Sequence, residues 1–214
     1  MPNRYIYLCL ALLGLHFLGH HLFVEHYSVW PLKGAPISLD PAGKISEQIE
    51  IRMPQIYDLT FSFSREGHEF EKLKNLIGGV YPSVTGVGIP VKWALVANNS
   101  NKVVLQNQKQ TKRGSSWSKK EVWRFIDHIE VTPGFYTLEV EVLGSVPEFQ
   151  GVNTSIQVSY SSKNGSTWHI GYMWWGMLFN YFVAPFLSII LLCKLQQNHN
   201  RRLLTRNSRG NAGQ

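Results

Sequence analysis

Two charge-free apolar runs bracket the chain, Tyr5 to Val24 (YIYLCLALLGLHFLGHHLFV) and Ile170 to Cys193 (IGYMWWGMLFNYFVAPFLSIILLC). As helices rising 1.5 Å per residue they reach roughly 30 Å and roughly 36 Å, enough for a hydrocarbon core of about 30 Å. Between them the pattern changes to a period of two. Tyr57, Leu59, Phe61 and Phe63 alternate with Asp58, Thr60, Ser62 and Ser64, and Ile49, Ile51 and Met53 alternate with Glu50 and Arg52. Ile89, Val91, Trp93 and Leu95 form a third such series and Val103 to Gln108 a fourth, with the polar run Asn98 to Asn101 as the turn between them. Period two marks half-buried strands.

The run Ile129 to Leu143 (IEVTPGFYTLEVEVL) predicts a hairpin turning at Pro133-Gly134, because proline presets φ and glycine tolerates positive φ. Ile156, Val158 and Tyr160 close the strand series. Two helical pieces are predicted within it. Phe70, Leu73, Leu76 and Ile77 have helical spacing in His68 to Ile77, and Ser118 with Glu121 three residues later forms a capping-box pattern opening Ser118 to Ile126. About seven strands in roughly 115 residues predict a mainly β fold, an antiparallel β-sandwich with one or two short helices, flanked by two transmembrane helices. The alternative is an open sheet with helices on one face.

The expected organisation is a signal anchor over residues 1–27, a turn-rich linker over 28–44 and an extracytoplasmic sandwich over 45–162. A second transmembrane helix follows over 168–194, then a basic, disordered tail over 195–214. The first run is longer than a usual signal-peptide core of about 7–15 residues, and no small-x-small cleavage site follows it. It is therefore expected to be retained.

Charge changes the picture. A net charge of +7 would suggest nucleic acid if it were spread over one surface. Instead all 14 acids and 15 of the 21 bases lie between Glu25 and His169. The other bases, Arg4, Lys194, Arg201, Arg202, Arg206 and Arg209, flank the apolar runs. Basic flanks stay cytoplasmic, so both termini are expected in the cytoplasm and the middle in the periplasm of a bacterial inner-membrane protein. Nucleic acid is excluded as a partner on that topology. Cys9 and Cys193, the two cysteines, both fall near the cytoplasmic ends of the runs and are expected as free thiols.

The segments IYDLTFSF (Ile56 to Phe63), EFEKLKNLIG (Glu69 to Gly78), GIPV (Gly88 to Val91) and the I-x-V-x-P-G-x-Y turn (Ile129 to Tyr136) resemble an uncharacterised family of bacterial extracytoplasmic domains. Its members are mostly small lipoproteins or membrane-anchored proteins. The resemblance spans roughly Ile45 to Tyr160 and implies a β-sandwich fold. Its motifs are structural and carry over no catalytic residue.

Candidate chemistry falls in three places. His16 and His20 share one face of the first run, and imidazole ligates haem iron, copper or zinc; His169 or Asn180 from the second span would join them in such a site. Lys109, Lys112, Arg113, Lys119 and Lys120 surround Trp117 in a polar segment suited to an acidic partner, anionic headgroups or an anionic glycan. Gly78-Gly79 to Gly86-Val87-Gly88 lacks the Lys-Ser/Thr ending of a phosphate loop and reads as a connection. His68 and His128 stand apart in sequence, and neither G-x-S-x-G nor H-E-x-x-H occurs. N-x-S/T triplets start at Asn98, Asn153 and Asn164.

The leading expectation is a non-enzymatic, membrane-anchored module with no cofactor that binds an envelope protein, for instance as an immunity-type protein capturing a toxin. A membrane haem or metal redox protein using His16 and His20 is the second reading. An envelope enzyme acting on lipid or glycan is the third.

Overall fold

A computed structural model describes residues 3–79, 85–161 and 167–211, with side chains up to Arg201. The chain divides into two compact units, residues 30–167 and a helical unit of residues 1–29 with 168–214.

The first unit is a β-sandwich. Its strands are β1 (Leu32–Pro36), β2 (Lys44–Ile51), β3 (Ile56–Ser64), β4 (Ile89–Ala97), β5 (Lys102–Thr111), β6 (Gly114–Trp117), β7 (Glu121–Glu130), β8 (Gly134–Val142) and β9 (Thr154–Tyr160). One antiparallel sheet has the order β1-β9-β3-β7-β6 and the other β2-β8-β4-β5. The alternating positions read from the sequence turn inward together. Tyr57, Leu59, Phe61 and Phe63 of β3 meet Val91, Trp93 and Leu95 of β4 and Leu138 and Val140 of β8 in one buried core. The alternative of an open sheet covered by helices on one face is thereby excluded.

Four expectations are corrected. The segment Ser118 to Ile126 is not a helix: β7 occupies Glu121–Glu130. The capping-box bond does form, since the Glu121 amide donates to Ser118 Oγ at 3.0 Å, but it closes a turn that starts a strand. The aromatic and β-branched residues beyond it favour pairing with β3 over helix. Pro133-Gly134 does not close a hairpin either, because β7 and β8 belong to different sheets and the turn crosses between them. Tyr136 Oη donates to the Thr132 carbonyl at 2.8 Å across this corner. The turn-rich segment expected as a linker carries β1, an edge strand in which Pro36 removes no needed donor. Finally, helix continues to Asn211 where disorder was expected. It propagates from an already nucleated span through Leu-, Gln- and Arg-rich sequence without proline. Asn164 lies outside the described residues.

The predicted first helix forms as α2 (Phe70–Ile77), which buries Leu73 and Ile77 and stops at Gly78 with φ of 90°. A bulge in β7 sets two residues, Ile126 and Asp127, against Leu59. It lets Val122, Arg124 and Ile126 face inward before it and Ile129 after it.

Asp127 ties the two sheets together beside this bulge. Its Oδ2 accepts from Trp93 Nε1 at 3.2 Å and Asn107 Nδ2 at 2.7 Å, and its Oδ1 lies 2.8 Å from Lys109 Nζ. Burial pushes its pKa up, but hydrogen bonds from Lys109 and Asn107, the Lys109 charge and the His128 amide outweigh burial and hold the carboxyl below its ordinary value. The unfolded chain therefore binds more protons in acid. The stability this group supplies is full above the ordinary carboxylate pKa and is lost as pH falls through the lower folded value. Asp127→Asn should lower the urea midpoint at pH 7 and flatten its decline below pH 4, with unfolding curves at the two pH values as the check.

The helical unit contains α1 (Asn3–Tyr27) and a second helix built of α3 (Trp168–Leu178), a π-helical turn (Phe179–Val183) and α4 (Ala184–Asn211). Asn3–Tyr27 and Trp168–Arg201 are long and apolar enough to cross a membrane. Leu8, Leu12, Leu15, Phe182, Phe186 and Ile189 point outward, as side chains do when the solvent is hydrocarbon. Both cysteines are free thiols.

Candidate functional site

Arg124 is the residue that sequence reading missed. It sits on the inward face of β7 between Val122 and Ile126 and is 0% exposed. Its Nη1 donates to the carbonyls of Val87 at 2.6 Å and Thr111 at 3.3 Å, and its Nη2 to those of Leu76 at 2.7 Å and Ile77 at 2.5 Å. Leu76 and Ile77 end α2, so two acceptors are helix C-terminal carbonyls that carry the negative end of the helix dipole. The guanidinium also lies 5.8 Å from the Phe63 ring and 5.5 Å from that of Phe149. Burial lowers its pKa to about 9, so it remains charged at neutral pH. The glycine-rich segment makes this cage possible. Gly86 donates to the Lys112 carbonyl and Gly114 to that of Gly78. A Cβ on Gly86 would overlap the backbone of Leu76, Ile77 and Gly78, and one on Gly114 the Gly78 carbonyl oxygen. The arrangement is a clamp that fastens α2 to the sheet. A charge on the apolar face of an alternating strand was the signal for it.

The basic cluster is split by the fold. Lys109 is drawn to Asp127. Lys112, Arg113, Lys119 and Lys120 are exposed around β6, and Trp117 is 54% exposed at its end. Trp117 lies 6.1 Å from Phe70, over which stands Arg65 at 4.4 Å and Lys74 at 5.7 Å. Arg65 is held there by donating to the Ser118 carbonyl at 2.7 Å. Two aromatic rings framed by cations thus form a ledge, with Phe70 and Arg65 added to the residues expected from sequence. The ledge adjoins open strands: among the described residues β5 pairs only with β4 and β6 only with β7. The run from Lys102 to Trp117 thus supplies one edge strand of each sheet, bonded at its corner to Gly86 and Gly78 through Lys112 and Gly114, with Val103 and Val104 exposed on β5.

A cleft of about 590 Å³ opens at the far end of β3, lined by Ser62, Ser64, Asp40, Glu121 and Asn153 among others. Glu121 Oε2 accepts from Ser62 Oγ at 2.8 Å and Gln157 Nε2 at 3.3 Å, while Gln157 Oε1 accepts from Trp123 Nε1 at 3.0 Å. This chain of bonds satisfies the polar outer face of the sheet. Farther along that face Ser159, Asp58 and His128 lie side by side on β9, β3 and β7, with His128 Nδ1 at 2.9 Å from Asp58 Oδ1. The carboxylate stands between hydroxyl and imidazole, so His128 has no nucleophile to activate in this row.

In the helical unit the His16 and His20 rings stack with centroids 6.3 Å apart. His20 Nε2 donates to the Met173 carbonyl at 3.1 Å, and a Cβ on Gly176 would overlap the His20 ring, so that glycine admits the contact. His169 stacks on Trp168 at 3.9 Å, and Asn180 is buried within the π-helical turn. Among the described residues no group of three or more His, Cys, Asp or Glu side chains is gathered as a metal site requires.

These features define a class: a β-sandwich protein with two packed antiparallel sheets and two helices apolar enough to cross a membrane. The chain belongs to the family described as Domain of unknown function (DUF5625), whose model matches residues 34–160. The match begins within β1 and ends with β9, the two strands that pair at the sheet edge. A crystal structure of a protein from Sulfurospirillum deleyianum has the same fold, with a TM-score of 0.50 at 18% identity. The similarity covers 61% of this chain and 97% of that one. No curated protein matches the chain.

Proposed function

We propose that this is a non-enzymatic, membrane-anchored binding module that presents its sandwich outside the cytoplasm to an envelope protein. The observation that carries the reading is the pair of edge strands β5 and β6, one in each sheet, with the cation-framed aromatic ledge beside them. An unpaired strand edge offers a row of main-chain donors and acceptors to an incoming extended segment. Trp117 and Phe70 supply apolar anchors, and Lys112, Arg113, Lys119 and Lys120 favour an acidic one. Capture of a toxin by an immunity-type protein is one instance of such binding. The basic flanks of the two helices support cytoplasmic termini.

Site-specific photo-crosslinking in intact cells tests this. A photoreactive residue at Val104 or Trp117 should give the same discrete adduct, and Glu47 on the opposite edge strand β2 should not. Charge reversal at Lys112, Arg113 and Lys119 should weaken the adduct about tenfold or more and remove its salt dependence. Equal adducts from both edges would reject the reading.

A further inference from the structure

The cleft of about 590 Å³ at the end of β3 is lined by none of the ledge residues. We propose that it is a saccharide site, taking a short stretch of neutral glycan. Its floor is the ends of adjacent strands in one sheet: Ser155 on β9, Ser62 and Ser64 on β3, and Glu121 on β7. Two loops complete the lining, residues 37–40 after β1 and residues 149–153 before β9. Main-chain bonds pin both loops. The Ile37 amide donates to the Thr154 carbonyl at 3.0 Å, the Val146 amide to the Leu39 carbonyl at 2.9 Å and the Ser64 amide to the Asn153 carbonyl at 2.9 Å. The site is formed before a ligand arrives, so binding loses little to the ordering of loops.

The lining selects the class of ligand. Ser38, Ser62, Ser64, Thr154 and Ser155 bring hydroxyls, and Asn153 brings an amide. The charged groups are two carboxylates, Asp40 and Glu121. No Lys, Arg or His lines the cleft, so nothing in it recognises a phosphate, a sulfate or a uronic acid. Each carboxylate is held through one oxygen. Ser62 Oγ and Gln157 Nε2 donate to Glu121 Oε2, and Ser145 Oγ donates to Asp40 Oδ1. Glu121 Oε1 and Asp40 Oδ2 accept no bond among the described residues. They are oriented acceptors for sugar hydroxyls, and a hydrogen bond to an ionised acceptor is roughly twice as strong as a neutral one. The serine and threonine hydroxyls both donate and accept, as every hydroxyl of a sugar does. Pro36 and Val152 add accessible apolar surface for the C–H face of a ring. An extended peptide suits the cleft less well. Ser62 and Ser155 lie on β3 and β9, which are paired on both sides and offer no edge to join. A divalent cation also suits it less well, since no three His, Cys, Asp or Glu side chains gather among the described residues.

The test uses the full chain in phosphatidylcholine nanodiscs, because the headgroups of glycosidic detergents are themselves sugars. Chitotriose, cellotriose and maltotriose are titrated in turn and followed by saturation-transfer NMR. Saturable binding of at least one of them is expected. Glu121→Gln and Asp40→Asn keep the shape of the lining but replace its charged acceptors, and each should weaken that binding about tenfold or more. Glu141→Gln, an exposed carboxylate of the other sheet, should bind as the wild type does. Circular dichroism checks that the variants fold. Should the cleft variants fail to, Ser38→Trp places a bulky ring at an exposed position of the cleft and should abolish binding. Three neutral trisaccharides that all fail to saturate overturn the proposal. So does trigalacturonate binding as tightly as the neutral sugars, displacement of the sugar by spermidine, or unchanged affinity in folded Glu121→Gln and Asp40→Asn.

Discussion

Arg124→Met should lower the unfolding free energy by about 3–5 kcal/mol, because it removes the one guanidinium to which four backbone carbonyls are bonded, of which the Leu76 carbonyl keeps the Val87 amide as a donor. Whole domains have only about 5–15 kcal/mol to lose, so the variant should unfold at low urea or fail to accumulate. Urea unfolding of the full chain in detergent, followed by its β-sheet circular dichroism, gives the number. Arg124→Lys keeps the charge but loses the fork that reaches two carbonyls with each nitrogen, and should fall between wild type and Met. A pH signature separates the clamp from simple packing. The folded-state pKa is lowered to about 9, so above that pH the unfolded chain holds the extra proton and this group makes stability rise with pH. Arg124→Met should lack that rise. A wild-type urea midpoint in Arg124→Met would mean the carbonyls find other partners and the clamp is dispensable.

Gly86→Ala is the second large effect, expected at about 3 kcal/mol of destabilisation. The added methyl meets main-chain atoms of Leu76, Ile77 and Gly78, and none of these yields as the far end of a flexible side chain would. Relief requires the end of α2 to move, which also pulls the Leu76 and Ile77 carbonyls from Arg124. The two substitutions damage one assembly, so the double variant should lose less than the sum. Unfolding of both singles and the double gives the cycle. Full additivity would show that the glycine and the arginine act separately.

The sandwich was legible because burial and alternation coincide. β3, β4 and β8 each place a hydrophobic residue inward at every second position. β1 was hidden because an edge strand tolerates Gly34 and Pro36, which with Pro31 just before it are residues that elsewhere signal a turn. β7 was mistaken for helix because the bonds of Ser118 are local, whereas the pairing of Val122 and Arg124 with β3 is decided by residues about sixty positions away. The candidate site was only half legible for a similar reason. Lys112, Arg113, Trp117, Lys119 and Lys120 are adjacent in sequence and were visible together. Phe70 and Arg65 join Trp117 only after α2 has folded onto the sheet. Lys109 leaves the group because Asp127 offers it a better partner than solvent.

The pairing of β1 with β9 has a mechanical meaning. Leu32 stands opposite Val158 and Pro36 opposite Ser155, so the first and last strands run antiparallel and the domain's two ends emerge at the same end of the pair. Tension applied through the flanking segments would load the bonds of this pair one rung at a time, beginning at Leu32. The two strands would open like a zipper, at far lower force than shearing all the rungs at once. The strand nearest the first helix would be the first to yield, exposing the β9 edge while the rest of the sandwich held.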